Sequence, residues 1–519
     1  MQSFIDEIQK GYTSKGDSIF LGAAMYNGEV LKDASIKLPL KTFNRHGLIA
    51  GATGTGKTKT LQMITEALSK ASVPSLVMDI KGDLSGIAAA GEINDKIKER
   101  IEATGFSFQP TAFPVEFYTL GKQNGVKLKA TVSEFGPILI SKILDLNDTQ
   151  AGLVSMIFKF CDDKMLPLLD LKDFTKVLQY ISNEGKAEIS KDYGNISTTS
   201  TGTILRKVIE LQQQGADNFF GEPSFDVEDL MRINNEGMGM VNVLRVNDLQ
   251  DRPKLFASFM LCLLAELYAK LPEEGDLDRP KLCLFIDEAH LIFNEASNAL
   301  LDQIETIIKL IRSKGVGIFF ITQSPADIPA AVLGQLGLKV QHALRAFTAA
   351  DRKSIKLAAE NFPLSDYYKT DEILTQLGMG EALVTGLNEK GIPTPLAAVM
   401  LNPPCSRMNV LTDAELNQIC EDSELSKKYN REIDERSAYE ILSEKLNRAV
   451  EKEEEESEES ETTVERKSGP KEKSTWDEIL SSPVTKQVAR TATQVLTRTL
   501  LGALGVSSSS SRKKKSSWF

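Results

Sequence analysis

Cysteine and histidine are scarce in this 519-residue sequence, which contains five cysteines and three histidines. The cysteines are scattered and form no C-x-x-C pair, so the sequence shows neither a disulfide framework nor a zinc-binding framework. With so few histidines, metal ligation by His46 or His290 is not expected, although both lie beside the motifs described below. This cysteine usage is typical of a protein kept in a reducing compartment.

Long apolar runs are also missing. No stretch approaches the roughly 20 apolar residues that a transmembrane helix needs. The first residues, MQSFIDEIQKGYTSKGD, are polar and acidic, unlike a cleaved signal peptide. We therefore expect a cytoplasmic protein.

Positive charge is in the minority, since the formal net charge is −11. This balance argues against a uniformly basic surface of the kind that coats nucleic acid. The charge is uneven, however, because residues 479–519 carry seven Lys or Arg side chains and no Asp or Glu. The charge of the whole chain is therefore a poor guide to the partner of its C-terminal part.

The first chemical motif is GATGTGKT at residues 51–58, which matches the phosphate-loop pattern G-x-x-x-x-G-K-[ST] at every fixed position. It lies between the apolar run HGLIA and the helical pattern KTLQMITEALSKA. The glycines let backbone N–H groups turn inward as an anion cradle, and the following helix directs its positive end at the phosphates. We therefore predict a nucleotide site. Its residues are Gly51, Ala52, Thr53, Gly54, Thr55, Gly56, Lys57, Thr58 and Lys59.

Two side chains of this loop have predicted chemical roles. Lys57 would reach the β- and γ-phosphates and take part in catalysis, and Thr58 would ligate Mg²⁺ through its hydroxyl. The predicted cofactors are therefore ATP and Mg²⁺.

A second motif, KLCLFIDEAH, places two acids directly after an apolar run. Asp287 is suited to hold Mg²⁺ through water, and Glu288 is suited to polarise the attacking water. Two acids at the start of a helix would also be stabilised by the positive end of the helix dipole, without any catalytic role. That interpretation is compatible with the catalytic one and explains less.

A third apolar run, GVGIFFITQSPADIP, ends on Gln323. A glutamine there could sense the γ-phosphate or orient water, or it could be an ordinary polar residue at a strand end. Its place after the other two motifs favours the catalytic role.

The alternation of apolar runs with helical patterns predicts an α/β fold with a mainly parallel sheet flanked by helices, and nucleotide at the carboxyl edge. We expect a short N-terminal β segment at residues 1–45, with a hairpin turn at Asn27-Gly28. The ATPase core is expected at residues 46–402. A large insertion, mostly helical, is expected at residues 131–270, because its apolar spacing is helical and the motifs are unusually far apart.

The C-terminal part is expected to leave the core. Residues 403–450 read as a helical extension, residues 451–475 as an acidic flexible linker, and residues 476–519 as a basic amphipathic tail. The tail could dock on its own or a neighbouring subunit, on an anionic membrane, on a partner protein or on nucleic acid.

The order of RHGLIAGATGTGKT, MDIKGDLSG, LFIDEAH and RSKGVGIFFITQSPADIP resembles the HerA-like branch of the HerA/FtsK superfamily. Two further stretches, ILRKVIELQQQGADNFFGEPSFDVEDL and LGQLGLKVQHALRAFTAADRK, look like the bacterial helicase HerA-like C-terminal domain group. The resemblance spans roughly residues 15–410. It implies a RecA-like P-loop NTPase core, a homo-oligomeric ring of hexameric type with ATP between subunits, and motor action on double-stranded DNA.

The resemblance also assigns roles to individual residues. Lys57 and Thr58 become the phosphate-loop pair, Asp287 and Glu288 the magnesium and water pair, and Gln323 the polar sensor. A ring ATPase needs an arginine from the neighbouring subunit at the transferring phosphate. The candidates are Arg206, Arg312 and Arg345, with Arg312 the leading one, although each could be a surface ion-pair residue.

Three functions stay open at this point. The first is an ATP-driven DNA translocase or helicase-like motor. The second is a ring-forming regulatory or assembly NTPase that acts on a protein or membrane partner through its tail. The acidic net charge favours this alternative. So does the segment of about 45 residues before the loop strand, which is too short for the β-barrel of HerA motors.

The third function, a protein phosphotransferase, would need an acceptor site that nothing in the sequence marks. The sequence does not identify the pore residues that would touch DNA, and Lys81, in MDIKGD, is as much a candidate for a loop contact to nucleotide.

Overall fold

The apolar runs of the sequence form a 12-stranded sheet among the described residues. The structure is a computed structural model that describes residues 1–249, 251–275, 277–293, 297–431, 433 and 436–462. The strands are β1 Ser18–Tyr26, β2 Glu29–Pro39, β3 Gly47–Ala50, β4 Ser75–Asp79, β5 Val115–Thr119, β6 Val126–Lys127, β7 Val241–Arg245, β8 Leu282–Ile286, β9 Val316–Thr322, β10 Leu338–His342, β11 Glu381–Thr385 and β12 Ala397–Leu401. Their order across the sheet is β2-β1-β12-β11-β10-β3-β9-β8-β4-β7-β5-β6.

The α-helices flank this sheet or form a separate helical unit. They are α1 Gln2–Tyr12, α2 Lys57–Lys70, α3 Asp95–Thr104, α4 Val132–Ile143, α5 Asp148–Lys164, α6 Leu171–Ser182, α7 Lys186–Asp192, α8 Thr198–Gln213, α9 Pro253–Lys270, α10 His290–Phe293, α11 Asn298–Ile311, α12 Ala330–Leu333, α13 Ala349–Ala359, α14 Thr370–Gln376, α15 Asp413–Asp422, α16 Glu424–Tyr429 and α17 Ala438–Thr462.

The sheet is mainly parallel. Strands β10, β3, β9, β8, β4, β7, β5 and β6 run parallel to their neighbours. Strands β11, β12, β1 and β2 extend the sheet in antiparallel pairs. Every residue of β3, β4, β8 and β9 is buried, as expected for parallel strands covered on both faces. The predicted α/β fold with a mainly parallel sheet is therefore confirmed.

The core between neighbouring strands is aromatic at its centre. Phe285 of β8 and Phe319 of β9 stack with ring centroids 4.8 Å apart, and both side chains are buried. Full burial of a side chain of this size stabilises the fold by roughly 1.5–3 kcal/mol. This packing holds together two strands whose carboxyl ends carry sequence motifs.

The chain divides into two units. The first comprises residues 1–130 and 213–433 and contains the whole sheet. The second comprises residues 131–212 and the chain from residue 434 onward, and its described part is helical.

Three helices of the second unit begin at side-chain caps. Thr131, Asn147 and Asp170 each accept a hydrogen bond from a backbone N–H in the first turn of α4, α5 and α6 respectively. Such a cap satisfies a donor that the helix itself leaves unpaired, and its loss costs about 1 kcal/mol. Asp173 of α6 in turn accepts from the backbone N–H of Tyr439, at 2.8 Å, which ties α17 to α6.

The observed boundaries differ in places from those expected of the sequence. The N-terminal segment begins with helix α1 before its hairpin, whose turn residues Asn27 and Gly28 both have positive φ. The separate helical unit ends at residue 212, because the following chain returns to the sheet as β7. Helix α17 continues to Thr462, where a flexible linker is expected from residue 451. The rest of that linker and the basic tail lie outside the described residues.

Helix α9 is an apolar helix that packs in the core of the first unit. Helix α9 is buried around nearly its whole circumference, so its apolar sequence is explained by packing. In the part of the chain that the structure describes, no helix is both long enough and apolar enough to cross a bilayer.

Candidate active site

The sheet order brings three sequence motifs to one edge. Strand β3 lies between β10 and β9, and β8 is the next strand beyond β9. These strands are parallel, so the segments that follow them meet at the same edge of the sheet. The phosphate loop follows β3, Gln323 follows β9, and Asp287 and Glu288, here called the acid pair, follow β8.

The phosphate loop is anchored to the strands on either side of it. The Gly51 N–H donates to the Thr322 carbonyl of β9 at 3.3 Å, and the Ala52 N–H donates to the Ala343 carbonyl after β10 at 2.9 Å. Gly51 has a φ of 152°, and a Cβ at this position would lie 2.5 Å from the Cβ of His342. Glycine is therefore required here by both conformation and space.

A turn before β11 supports the loop from outside. The Gly380 N–H donates to the Thr55 carbonyl at 2.9 Å. Arg100 of α3 holds this turn, because its Nη1 donates to the carbonyls of Gly380 at 3.0 Å and Leu401 at 3.1 Å. Its Nη2 donates to the carbonyl of Met379 at 2.9 Å. The guanidinium thus connects three backbone carbonyls behind the phosphate loop.

Lys57 starts helix α2 and is only 7% exposed. Its Nζ donates to the carbonyls of Gly51 at 2.6 Å and Ala52 at 3.2 Å. Burial lowers its pKa and the charge of Lys81 lowers it further, whereas the acid pair raises it. A buried ammonium that has only neutral carbonyls as hydrogen-bond partners is suited to a phosphate, which would supply the missing negative charge.

Lys59 has a different environment. Its Nζ donates to the carbonyl of Met408 at 2.6 Å and to Oε1 of Gln62 at 3.1 Å. The structure therefore directs this predicted nucleotide-binding side chain to the segment after β12. Only its backbone stays with the phosphate loop and the start of α2.

The acid pair lies at the end of β8. The backbone N–H of Glu288 donates to Oδ1 of Asp287 at 2.9 Å. Glu288 adopts a φ of 45°, a region that costs a non-glycine residue on the order of 1–3 kcal/mol and is enriched at functional sites. Its Oε1 lies 2.5 Å from Nζ of Lys81. Its Oε2 is buried without a hydrogen-bond partner among the described residues, and Nδ1 of His290 lies 3.3 Å away.

Asp287 and Thr58 are suited to bind a magnesium ion. Asp287 is 4% exposed, and burial raises the pKa of its carboxyl group to about 6. A cation beside this carboxylate would favour its charged form. Thr58, in the first turn of α2, is partly buried and offers a hydroxyl oxygen. Mg²⁺ prefers such oxygen ligands together with phosphate oxygens.

No cluster of three or more His, Cys, Asp or Glu side chains that could hold a metal ion is found in the described ranges. Mg²⁺ in a phosphate-loop site needs fewer protein ligands, because the nucleotide supplies phosphate oxygens. The donor set at Thr58 and Asp287 therefore fits nucleotide-bound magnesium better than a self-sufficient metal centre.

Gln323 is exposed at the end of β9, between the phosphate loop and the acid pair. Arg312 lies just before β9 and therefore at the opposite edge of the sheet. Arg345 follows β10 on the loop edge and is exposed, with Nη1 3.3 Å from the Thr375 carbonyl. Arg206 is exposed on α8 in the second unit. Of the three candidate arginines, the structure places only Arg345 at the same sheet edge as the motifs.

The structure brings to the site His342 and Arg100, for which the sequence offered no role, and Lys81, which the sequence offered only as a loop contact to nucleotide. Lys81 lies two residues after the end of β4, and a charged residue this close to the end of a buried strand was the available signal. His342 ends β10, where its Nε2 lies 2.9 Å from Oγ1 of Thr60. Burial, and then the charge of Lys57, lower the pKa of His342 to about 4. Arg100 had no local signal, since it lies in an ordinary charged helix.

His46 has a structural explanation. Its Nδ1 accepts from the Ile318 N–H at 3.0 Å, and its Nε2 lies 2.9 Å from the Ile308 carbonyl. Both ring nitrogens are used by the backbone of neighbouring elements.

The sequence is similar to a HerA-like family model and to proteins named as helicases. A family model described as Helicase HerA-like C-terminal matches residues 25–509. The DNA double-strand break repair helicase HerA of Sulfolobus acidocaldarius is 22% identical over 376 residues, which are 70% of this chain and 66% of that protein. The probable helicase MJECL08 of Methanocaldococcus jannaschii is 31% identical over 176 residues, 31% of each chain. The chain thus spans slightly less than two thirds of the first relative.

Among solved structures, the trigonal form of the bacterial conjugative coupling protein TrwBdeltaN70 in complex with sulphate has a TM-score of 0.51. It is 13% identical, and the match covers 78% of this chain and 94% of that one. At this identity the likeness concerns the fold. The predicted RecA-like P-loop fold is confirmed by this match together with the family model.

Proposed function

The chain belongs to the Helicase HerA-like C-terminal family, and we propose that it is a motor ATPase of the HerA/FtsK type that converts ATP and water to ADP and phosphate. The observation that carries this proposal is the meeting of the phosphate loop, Lys57 and the acid pair at one edge of a parallel sheet. A site that only bound nucleotide would not need a buried glutamate beside the magnesium position.

Each residue has a distinct part in this hydrolysis. The N–H groups of residues 51–58 bind the phosphates, and Lys57 exchanges its two carbonyl partners for β- and γ-phosphate oxygens. Thr58 and Asp287 would hold Mg²⁺, which neutralises phosphate charge. Glu288 accepts a proton of the attacking water at Oε2, the oxygen without a hydrogen-bond partner among the described residues. Gln323 orients that water or contacts the γ-phosphate.

We propose that the protein acts as a homo-oligomer, in a hexameric ring with ATP between subunits. The exposure of Thr53, Gly54 and Gln323 supports a site that a neighbour completes. Arg312 lies at the sheet edge opposite to its own phosphate loop, so it could act only on a nucleotide bound by a neighbouring subunit. Such head-to-tail contacts close into rings when the rotation between subunits permits.

The proposed substrate of the motor is double-stranded DNA. Support comes from the relatives, which are named as helicases. The alternative is a regulatory or assembly ring that captures a protein or membrane partner through residues 479–519. The net charge of −11 and the basic character of that segment favour this alternative. The cytoplasmic location expected from cysteine usage stays a prediction.

The test compares steady-state ATP hydrolysis by the wild type and Glu288→Gln, with and without long duplex DNA, at low and moderate salt. We expect the variant to bind ATP without hydrolysing it. We also expect DNA to stimulate the wild type, with stimulation fading as salt rises, because phosphate contacts release counterions. Hydrolysis that persisted in Glu288→Gln would contradict the catalytic assignment.

A flat response to DNA would favour the regulatory ring. In that case a chain lacking residues 479–519 should keep its ATP hydrolysis and lose capture of vesicles containing anionic lipid or of a protein partner. A truncated chain that retained capture would remove the tail from the proposal.

A further inference from the structure

Lys81 lies against the glutamate proposed to act on water. Its Nζ is 2.5 Å from Oε1 of Glu288. The Glu288 side chain is 8% exposed and the Lys81 side chain is 41% exposed, so the ammonium reaches a buried carboxylate from the open side of the site. Opposite charges at this distance form a close ion pair, and burial of the carboxylate reduces its screening by water.

The ion pair gives the two carboxylate oxygens of Glu288 different surroundings. Oε1 is occupied by Lys81, whereas Oε2 is buried without a hydrogen-bond partner among the described residues. A carboxylate held by one oxygen has a restricted orientation, and its other oxygen can then accept a proton from one direction. That arrangement is what positioned proton transfer requires.

The loop that carries Lys81 is itself held in place. The carboxylate of Asp79, at the end of β4, accepts from the N–H groups of Gly82 at 2.7 Å, Asp83 at 3.2 Å and Leu84 at 3.2 Å. Strand β4 is hydrogen-bonded to β8, the strand that precedes Glu288. Both partners of the ion pair therefore start from adjacent strands of a rigid sheet.

The backbone of Glu288 is constrained as well. Its N–H donates to Oδ1 of Asp287 at 2.9 Å, and its φ is 45°. The backbone thus fixes where the side chain starts, and Lys81 fixes where it ends. No other described lysine or arginine forms an ion pair with Glu288, and Nδ1 of His290 lies 3.3 Å from its Oε2.

We infer that Lys81 is a positioning residue that holds Oε1 of Glu288, so that Oε2 faces the attacking water during ATP hydrolysis. This inference rests on the proposed ATPase function. It adds to that function a residue that acts through Glu288 and that no phosphate-loop pattern includes. Loss of Lys81 frees the carboxylate to rotate, and a misplacement of about 1 Å can lower a rate by roughly 100-fold.

The experiment measures single-turnover ATP hydrolysis and the affinity for a non-hydrolysable ATP analogue for Lys81→Met, Lys81→Arg and the wild type. We expect Lys81→Met to lower the hydrolysis rate by roughly 10- to 100-fold, with the analogue bound as in the wild type. Lys81→Arg should recover part of the rate, because it keeps a cation with a different shape. The matched control is Lys98→Met, which removes the exposed ion pair with Asp95 and should change neither value.

A second comparison separates positioning from a general structural role. In a Glu288→Gln background, where at most a small single-turnover rate remains, the additional change Lys81→Met should lower that rate no further, because the two residues act as one unit. An equal loss in both backgrounds would overturn the inference, and so would a Lys81→Met variant with wild-type turnover. If Lys81→Met does not fold, as judged by circular dichroism, Lys81→Gln takes its place in both comparisons.

Failure of this inference differs from failure of the proposed function. A wild type without ATP hydrolysis would refute the ATPase assignment itself. A wild type that hydrolyses ATP, with a Glu288→Gln variant that does not, establishes the function while the Lys81 variants decide the inference.

Discussion

Oε1 of Glu66 accepts hydrogen bonds from the backbone N–H of Ser406 at 3.1 Å and from its hydroxyl at 2.5 Å. Oε2 accepts from the N–H of Cys405 at 2.6 Å. Glu66 lies on α2, directly after the phosphate loop, and is buried. Gln62, one turn earlier on α2, donates to the Ser406 hydroxyl at 2.7 Å. The helix that starts at Lys57 is therefore fastened to the segment that follows the last strand.

Glu66→Ala should destabilise the first unit. The substitution leaves the N–H groups of Cys405 and Ser406 buried without an acceptor, and each such group costs about 1–3 kcal/mol. Urea unfolding followed by circular dichroism should show a lower midpoint. Glu102→Ala, at an exposed position of α3, is the control and should leave the midpoint unchanged. Equal midpoints for wild type and Glu66→Ala would show that the strand-following segment is not held by this carboxylate.

Arg100→Ala should weaken ATP binding, because the turn at Gly380 that supports Thr55 loses its three carbonyl contacts with the guanidinium. A charge-assisted hydrogen bond contributes roughly 1.5–3 kcal/mol, so we expect an affinity loss of about tenfold. Calorimetric titration with a non-hydrolysable ATP analogue measures it. Lys96→Ala removes an exposed positive charge from the same helix and should bind as the wild type does. If Arg100→Ala bound the analogue as tightly as the wild type, Arg100 would not be needed to hold the turn that supports the phosphate loop.

His46 should make the fold sensitive to acid. Burial, with a smaller contribution from Arg312, lowers the pKa of His46 to about 4 from its ordinary 6.5. The unfolded chain therefore binds a proton more readily between these values, so the stabilisation is complete above pH 6.5 and is lost as the pH falls toward 4. Protonation of Nδ1 would also abolish its hydrogen bond from the Ile318 N–H.

Unfolding of the wild type and His46→Gln in urea at several pH values between 7 and 5 tests this linkage. The difference in unfolding free energy between the two proteins should shrink as the pH falls, by up to roughly 1.4 kcal/mol per pH unit. Other titrating groups are common to both proteins and cancel in the difference. Parallel curves would mean that His46 does not carry the effect.

Arg312 can be tested as a residue that acts across subunits. Arg312→Ala and Lys57→Ala should each be inactive alone, because one lacks the donated arginine and the other lacks the phosphate-loop lysine. Mixed and reassembled, they should regain ATP hydrolysis at interfaces where an intact loop meets an intact arginine. Arg345→Ala in the same mixing experiment is the comparison. Recovery with Arg345→Ala but not with Arg312→Ala would transfer the role to Arg345.

The ends of strands were predictable because their pattern is local. The phosphate loop needs only a buried strand, a run of glycines and a helix in sequence, and these neighbours determine its conformation. Asp287 and Glu288 likewise follow an apolar run that forms a strand in almost any parallel sheet. The same reasoning predicted that Gln323 follows a strand. Its position beside the phosphate loop, however, depends on β9 being the neighbour of β3 in the sheet.

The order of the strands could not be predicted in this way. Strand β10 follows β9 in the chain but pairs with β3 on its other side, which brings His342 under the phosphate loop. The division into two units was also outside local reasoning, because residues 213–433 cluster with residues 1–130 although residues 131–212 lie between them in the sequence.

The sequence by itself determined the nucleotide chemistry that we propose, since phosphate binding and water activation depend on residue types that are adjacent in the chain. Only the tertiary structure decided what holds those residues. Arg100 and Gly380 are 280 positions apart, and Glu66 and Ser406 are 340 positions apart. Contacts over such separations carry no local pattern, because they exist only after the sheet has set the distances between its strands and helices.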